Sequence, residues 1–368
     1  IMAAEILAPA GSFDALKAAV RCGANAVYLG GKMLNARRNA SNFSEEELAE
    51  AVEYCHARNV KVYLTLNTLV SDGELKTAYE AVKCACRVKA DALILQDLGL
   101  AAVVRRVSQS MPMHASTQMS VQSIEGIRTL EKLGFSRAVL PRELSEKEII
   151  AISSQTEMEL EYFVHGALCM CVSGQCLMSS VLGGRSGNRG LCAQPCRLPF
   201  GVNGKGGSNL SLKDLSLVDE LSRLEKAGIC SFKIEGRMKR PEYVAAAVTA
   251  CKNSLYNISD ADINNSLHAV FSRSGFTKGY FEGKRNLSMF GYRTKEDVLS
   301  ASPVLKDIEN TYRNENPLIE VSMDLTVKAG KPALLVLSDG VFSVTAEGKI
   351  PENFDLSVTA YDFQFALR

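Results

Sequence analysis

Residues 6–29 read Ile-Leu-Ala-Pro-Ala-Gly-Ser-Phe-Asp-Ala-Leu-Lys-Ala-Ala-Val-Arg-Cys-Gly-Ala-Asn-Ala-Val-Tyr-Leu. A short apolar run, Ile6 to Ala8, gives way to Ser12, a residue type whose hydroxyl caps a helix, and Phe13 to Arg21 then follows a helical apolar pattern. Ala26 to Leu29 is a second β-rich run. Strand, helix and strand in so short a span require parallel pairing, because a helix brings the chain back to the edge from which it left. The alternation continues through Val60 to Leu66, Ala92 to Leu95, Met113 to Ser116, Ala138 to Leu140, Leu160 to Val164 and Phe232 to Ile234, making eight runs. Between them lie amphipathic stretches such as Glu45 to Arg58, preceded by Ser44 with Glu47 placed for a capping box.

Eight strands are the number of a (β/α)8 TIM-like barrel, which uses about 250 residues. A doubly wound sheet usually has fewer strands and a phosphate loop, and neither G-x-G-x-x-G nor G-x-x-x-x-G-K-[ST] occurs. The expected organisation is a barrel over residues 1–300, closed by a helix from Pro241 to Leu255, with a cysteine-rich insertion at about 167–230. A small β-rich module over 301–368 follows. In that module Ile319 to Leu325, Ala333 to Leu337 and Val341 to Ala346 read as antiparallel strands, with Ser338-Asp-Gly340 as a hairpin turn. Ile1 ahead of Met2 reads as an added residue, and the ending at Phe365-Ala-Leu-Arg368 directly after strand-like sequence suggests a longer natural chain.

Lys and Arg number 42 against 41 Asp and Glu, so no global field recruits nucleic acid or an anionic membrane, and any RNA-binding surface must be local. No apolar run is long enough to span a bilayer and the N-terminus lacks the regions of a signal peptide, so a cytoplasmic protein is expected. Of eleven cysteines, Cys22, Cys55, Cys84, Cys86 and Cys251 fit helix-like apolar patterns as small hydrophobes. The others are concentrated: Cys169-Met-Cys171-Val-Ser-Gly-Gln-Cys176, then Cys192-Ala-Gln-Pro-Cys196, then Cys230 just before the eighth strand. A reducing compartment disfavours disulfides, so clustered thiols point to metal or redox chemistry. Four thiolates suit an iron-sulfur cluster; structural zinc is the alternative, although its ligands usually come in short paired knuckles. The insertion leaves at a strand's C-terminal end, the face on which barrel enzymes keep their active sites, and carries the Gly-rich stretch Gly183-Gly-Arg-Ser-Gly-Asn-Arg-Gly190.

The run Glu161-Tyr-Phe-Val-His-Gly-Ala-Leu-Cys169, followed by Gly174-Gln-Cys-Leu-Met-Ser179, resembles the signature of the bacterial collagenase-like peptidase family U32. Arg185-Ser-Gly-Asn-Arg-Gly190, Gln194-Pro-Cys-Arg197, Phe232-Lys-Ile-Glu-Gly-Arg-Met-Lys239 and Gly275-Phe-Thr-Lys-Gly-Tyr280 add to the resemblance, which runs from Ala8 to about Gly291. The β module resembles the extra domain of longer members, one of which hydroxylates a cytidine of 23S ribosomal RNA. The resemblance implies either peptidase activity or oxygen-independent hydroxylation of transfer RNA, ribosomal RNA or a ubiquinone precursor, with prephenate as oxygen donor. It also implies a four-iron four-sulfur cluster on Cys169, Cys176, Cys192 and Cys230, while a sister pattern uses a pair placed like Cys192 and Cys196. The fourth ligand is therefore Cys230 or Cys196, and Cys171 is read as a bystander.

Polar residues expected at strand ends, and so lining a cavity, are Asn67, Gln96, Asp97, Gln118, Arg142, Glu143, His165, Glu235 and Arg237. His165 suits a proton shuttle or a structural histidine, and Arg142 and Arg237 suit a small carboxylate donor such as prephenate unless they pair with Glu143 and Glu235. His114 lies beside the fifth strand, and His56 and His268 fall in surface-like sequence. Arg185, Arg189, Arg197, Arg273, Lys278, Lys284, Arg285 and Arg293, around Tyr280, Phe281 and Phe290, form a basic and aromatic pattern able to hold phosphates and stack a base, or simply a charged surface. Neither H-E-x-x-H nor G-x-S-x-G is present, which leaves a Cys169 and His165 dyad as the protease option. The expected function is hydroxylation of a pyrimidine in RNA by a cluster-dependent enzyme, with a peptidase of unfolded or collagen-like chains, or an RNA-binding zinc scaffold, as alternatives.

Overall fold

The computed structural model describes residues 4–32, 34–37, 40–201, 203, 206–294, 301–315 and 319–350. Eight parallel strands close on themselves: β1 (Glu5–Pro9), β2 (Ala26–Leu29), β3 (Lys61–Leu66), β4 (Ala92–Leu95), β5 (Met113–Ala115), β6 (Arg137–Val139), β7 (Glu159–Gly166) and, after an excursion, β9 (Ser231–Ile234). The seam is made by β9, which pairs with β7 through Glu161 and Ser231 and with β1 through Glu5 and Ser231. Helices cover the outside, their starts fixed locally: the Ser12 hydroxyl accepts from the Ala15 amide at 3.3 Å, and Ser44 and Glu47 form the expected capping box. The pleat sends alternate strand residues to two environments. Leu7, Ala26, Tyr28, Tyr63, Ala92 and Ile94 pack inside the barrel, and a larger apolar layer lies between strands and helices.

The strand-start end of the barrel is filled by charge. Arg137 meets Glu5 at 2.7 Å, Glu161 at 3.2 Å and Glu159 at 2.7 Å, and Lys233 meets Glu161 at 2.7 Å. Ser231 and Tyr63 hydroxyls both donate to Glu5. Every carboxylate there has a cation, which is the condition under which buried charge is tolerated.

Two short strands escaped the sequence pattern. The segment after β7 returns as β8 (Asp214–Ser216), antiparallel to the end of β7 with His165 opposite Ser216, and β10 (Phe276–Thr277) lies parallel to β8. Three residues are too few for a period to be seen. The first compact unit extends to Asn314 rather than ending at 300, because the helix Ser302–Tyr312 packs on the helix Pro241–Leu255 and Arg21 donates to the carbonyls of Tyr312 and Arg313.

The second unit is an antiparallel meander, β11 (Ser322–Thr326), β12 (Leu334–Ser338) and β13 (Ser343–Glu347). Its register places Met323, Leu337 and Val344 side by side, with Leu325, Leu335 and Ala346 in the next row, so one face is apolar. Asp339 holds the expected turn by accepting from the amides of Val341 and Phe342. The terminal Phe365 to Arg368 lies outside the described residues. Among the described residues no helix is long and apolar enough to cross a membrane.

Candidate functional site

The strand-end positions converge at the C-terminal mouth of the barrel. Glu235, just beyond β9, receives Arg142 at 2.8 Å on one carboxylate oxygen and Arg37 at 3.1 Å on the other. The Arg142 guanidinium also lies over Phe163, 3.6 Å from the ring centre. Burial pushes the Glu235 carboxyl up, but Arg37, Arg142 and Arg237 overcome it and hold its pKa at about 2. Arg237 reaches Thr65 Oγ1 at 2.9 Å and Asn35 Oδ1 at 3.4 Å, and among the described residues no carboxylate is in direct contact with it. Burial and then Arg37 lower it to about 10, which still leaves it charged near neutrality. Three arginines thus face one carboxylate. Arg37 was not anticipated; its only signal was its position after β2, at the same end of the barrel as the other sites.

Other strand-end residues divide. Gln96 Nε2 donates to the Gln118 carbonyl at 3.4 Å, but the side-chain oxygens of Gln96 and Gln118 are buried with no partner among the described residues. Orphaned acceptors are costly unless a donor arrives, so they mark space for a polar ligand or water. Glu143 accepts from Ser173 of the insertion at 3.1 Å and Asn67 from the Ala36 amide at 3.0 Å. Asp97 is not a cavity residue: it caps the helix Leu98–Val107 by accepting from Leu100 and also binds the Val70 amide.

The insertion folds over this mouth. Arg189 grips Glu74 through both guanidinium nitrogens and donates to the Leu69 carbonyl at 2.7 Å, tying the Gly-rich stretch to the loop after β3. Cys169 keeps an open side, yet crowding raises its thiol pKa; Arg142 and Arg37 act on it from the mouth, and Cys196 and Cys192 from the insertion. Cys192 accepts from the Gln194 amide at 3.3 Å, and Ser179 Oγ lies 3.8 Å from its sulfur. The Cys176 carbonyl and the Cys192 Cβ both approach Gly187, so these two cysteines flank one glycine. Burial, and then the neighbouring Cys176, raise the Cys171 thiol. Cys169, Cys176, Cys192 and Cys196 therefore share one loop system at the mouth. The amide-to-sulfur bond and left-handed turns at Gln194 and Gly190 are the features with which loops wrap a cluster. Among the described residues no three metal-ligating side chains are already drawn together closely enough to hold an ion.

Two expected members stand elsewhere. Cys230 lies at the opposite end of the barrel: its carbonyl accepts from the Glu5 amide, its sulfur is 3.4 Å from the Leu160 carbonyl, and burial lifts its pKa to about 11. It precedes a strand rather than following one, and in a parallel barrel every strand starts at the same face. His165 is turned outward by an irregularity in the β7–β9 register between Phe163 and His165. Its ring sits among Tyr243, Phe271 and Phe276, Nδ1 is 2.8 Å from the Tyr243 hydroxyl, and Nε2 has no partner among the described residues. Burial lowers its pKa to about 3, and no cysteine contributes to that shift, so a Cys169 and His165 dyad is not formed. His114 is likewise buried, edge-on to Tyr63, with its pKa pressed down by burial and then by Arg137. Much of the basic and aromatic pattern is spent internally: Arg285 donates to the Glu143 carbonyl, Lys278 pairs with Glu220 and Lys284 with Glu282. His56 pairs with Asp91, and His268 meets Phe276 edge-on.

A parallel eight-stranded barrel whose mouth is roofed by a thiol-rich loop defines a recognisable class. The chain belongs to peptidase family U32, whose profile matches residues 11–289. It is 38% identical over 284 residues to a 23S rRNA 5-hydroxycytidine synthase of Escherichia coli, covering 75% of this chain and 42% of that protein. It is 35% identical over 258 residues to tRNA hydroxylation protein P1 of Bacillus subtilis, covering 67% of this chain and 61% of that one. It is 33% identical over 310 residues to a collagenase of Porphyromonas gingivalis, covering 76% and 74% respectively. The chain thus spans less than two thirds of the first two relatives.

Proposed function

We propose that this chain is a hydroxylase of a pyrimidine base in RNA, working without molecular oxygen and holding a four-iron four-sulfur cluster on Cys169, Cys176, Cys192 and Cys196. The observation that carries the reading is the position of Cys169, which feels Arg37 and Arg142 of the barrel mouth on one side and Cys192 and Cys196 on the other. A cluster bound there would supply one-electron chemistry beside the pocket. The names of two relatives, which concern rRNA and tRNA hydroxylation, support RNA as substrate.

The protein's own residues then have separate tasks. Arg37, Arg142 and Arg237 exceed the charge of Glu235 and so favour a small carboxylate, such as a prephenate-like oxygen donor, which guanidinium groups bind in a fixed orientation. Gln96 and Gln118 offer unpaired carbonyl oxygens to the N–H groups of a base flipped into the mouth. The peptidase reading has the name of the collagenase relative behind it but lacks a base, because His165 cannot serve Cys169 from its aromatic enclosure. The test is nucleoside mass spectrometry of ribosomal and transfer RNA from a deletion strain and its parent, together with iron analysis of anaerobically purified protein. Identical nucleosides in both strains would remove the proposal.

A further inference from the structure

Behind the mouth, on the side of the seam, a second concavity of about 700 Å³ opens between the loop after β1 and the loop after β9. Ser12, Lys239, Arg240, Phe271 and Arg293 line it. Among the described residues, Lys239, Arg240 and Arg293 make no ion pair and no side-chain hydrogen bond; the only contact of this kind is the Lys239 ammonium 4.6 Å above the Phe271 ring. The acids within electrostatic reach of Lys239 are already engaged: Asp214 is paired with Arg273, and Glu235 with Arg37 and Arg142. Asp214 in fact feels four cations at once, Arg273, Arg197, Lys239 and Arg293.

Arg240 and Arg293 are exposed and Lys239 is half-buried; like charges gathered around a single carboxylate repel one another, and an arriving anion relieves that repulsion. Burial first, and then the repulsion of Arg273, press the Lys239 ammonium below its ordinary range. Two helices begin at the same place: Ser12 caps Phe13–Arg21 and Arg240 precedes Pro241–Leu255, so their positive ends add to the field. The volume exceeds what an inorganic anion needs and falls within the range of pockets for small organic ligands.

We propose that this concavity is a binding site for a phosphate ester, held by Lys239, Arg240 and Arg293 at the paired helix starts, separate from the arginines that surround Glu235. The phosphate belongs either to the backbone of an RNA strand or to a free mononucleotide. The site does not depend on the hydroxylase reading, since it follows from charge and shape alone.

Binding of inorganic phosphate, cytidine 5′-monophosphate, cytidine and a short single-stranded RNA to the full chain, measured by calorimetry at low salt, tests it. Cytidine alone is expected not to engage the site. In the double variant Lys239→Gln with Arg293→Gln, the phosphate-bearing ligand that uses the site should bind at least about tenfold more weakly, as loss of charge-assisted hydrogen bonds implies. Weakening of the mononucleotide and inorganic phosphate assigns a free ligand, whereas weakening of the oligonucleotide alone assigns a backbone phosphate. A variant with unchanged circular dichroism that binds all the probes as tightly as wild type overturns the proposal. Should the variant not fold, lysine acylation of the wild-type chain decides: phosphate should shield Lys239 several-fold without shielding exposed Lys132, and equal labelling with and without phosphate overturns the site. RNA nucleoside profiles report on the hydroxylase reading independently, so either can fail alone.

Discussion

The two ends of the barrel are both filled with buried charge, and they handle it in opposite ways. At the strand-start end Glu5, Glu159 and Glu161 are matched by Arg137 and Lys233, with Ser231 and Tyr63 donating as well. At the mouth three arginines converge on Glu235, two glutamine oxygens lack partners, and the insertion brings thiols alongside. A closed set of charges holds a barrel together; an open set waits for a ligand. The difference teaches which end does chemistry without reference to any relative.

Replacing cysteines should separate the ends most sharply. Cys176→Ala or Cys192→Ala should lower iron from about four per chain to below one, because a cluster loses a ligand, while Cys230→Ala should leave iron unchanged in anaerobic preparations. Iron loss in Cys230→Ala would mean that the two ends are not independent. Next in size, Glu161→Ala leaves Lys233 buried without its acid, and urea unfolding should show a loss of about 3–5 kcal/mol, with iron per folded chain retained. A smaller cost would show that the balanced end tolerates an unpaired cation.

Arg237→Ala should cut hydroxylation by roughly ten- to a hundredfold, the worth of a charge-assisted contact, at normal iron content and stability; full activity would move the donor site elsewhere. The least effect concerns pH. His165 binds a proton in the unfolded chain near pH 6.5 but only near 3 when folded, so the unfolded state binds more protons between these values. Stability is then fully present above about pH 6.5 and falls on acidification by up to about 1.4 kcal/mol per unit. His165→Phe should flatten that slope in denaturant titrations from pH 7 to pH 5, and an unchanged slope would show that the ring is not what titrates.

Much of the fold could be read from the chain because barrel strands are short apolar runs that recur with helices between them, and caps such as Ser44 and Glu47 are local chemistry. Arg142, Glu235 and Arg237 were readable for the same reason: each follows a strand. Arg37 was not, since the loop that carries it has no period. Cys230 entered the candidate ligand set through the family resemblance, and its place before a strand rather than after one sets it at the other end of the barrel. His165 was misjudged for a deeper cause: period-two counting from Glu161 and Phe163 points it inward, and only the extra residue at the β7–β9 ladder turns it out.

Gly11 rests so tightly on the Arg237 carbonyl that a methyl group there would lie 1.7 Å from its oxygen. A glycine beside the first strand thereby sets the backbone position of a cation beside the last. During synthesis β1 leaves the ribosome long before β9, and its edge stays unmatched until residues 231–234 emerge. The contacts that complete the mouth are the most distant in sequence of any in the barrel, hence among the slowest to form. A nascent or truncated chain lacking them would have thiols and most of its helices but no assembled pocket, so competence arrives only with closure.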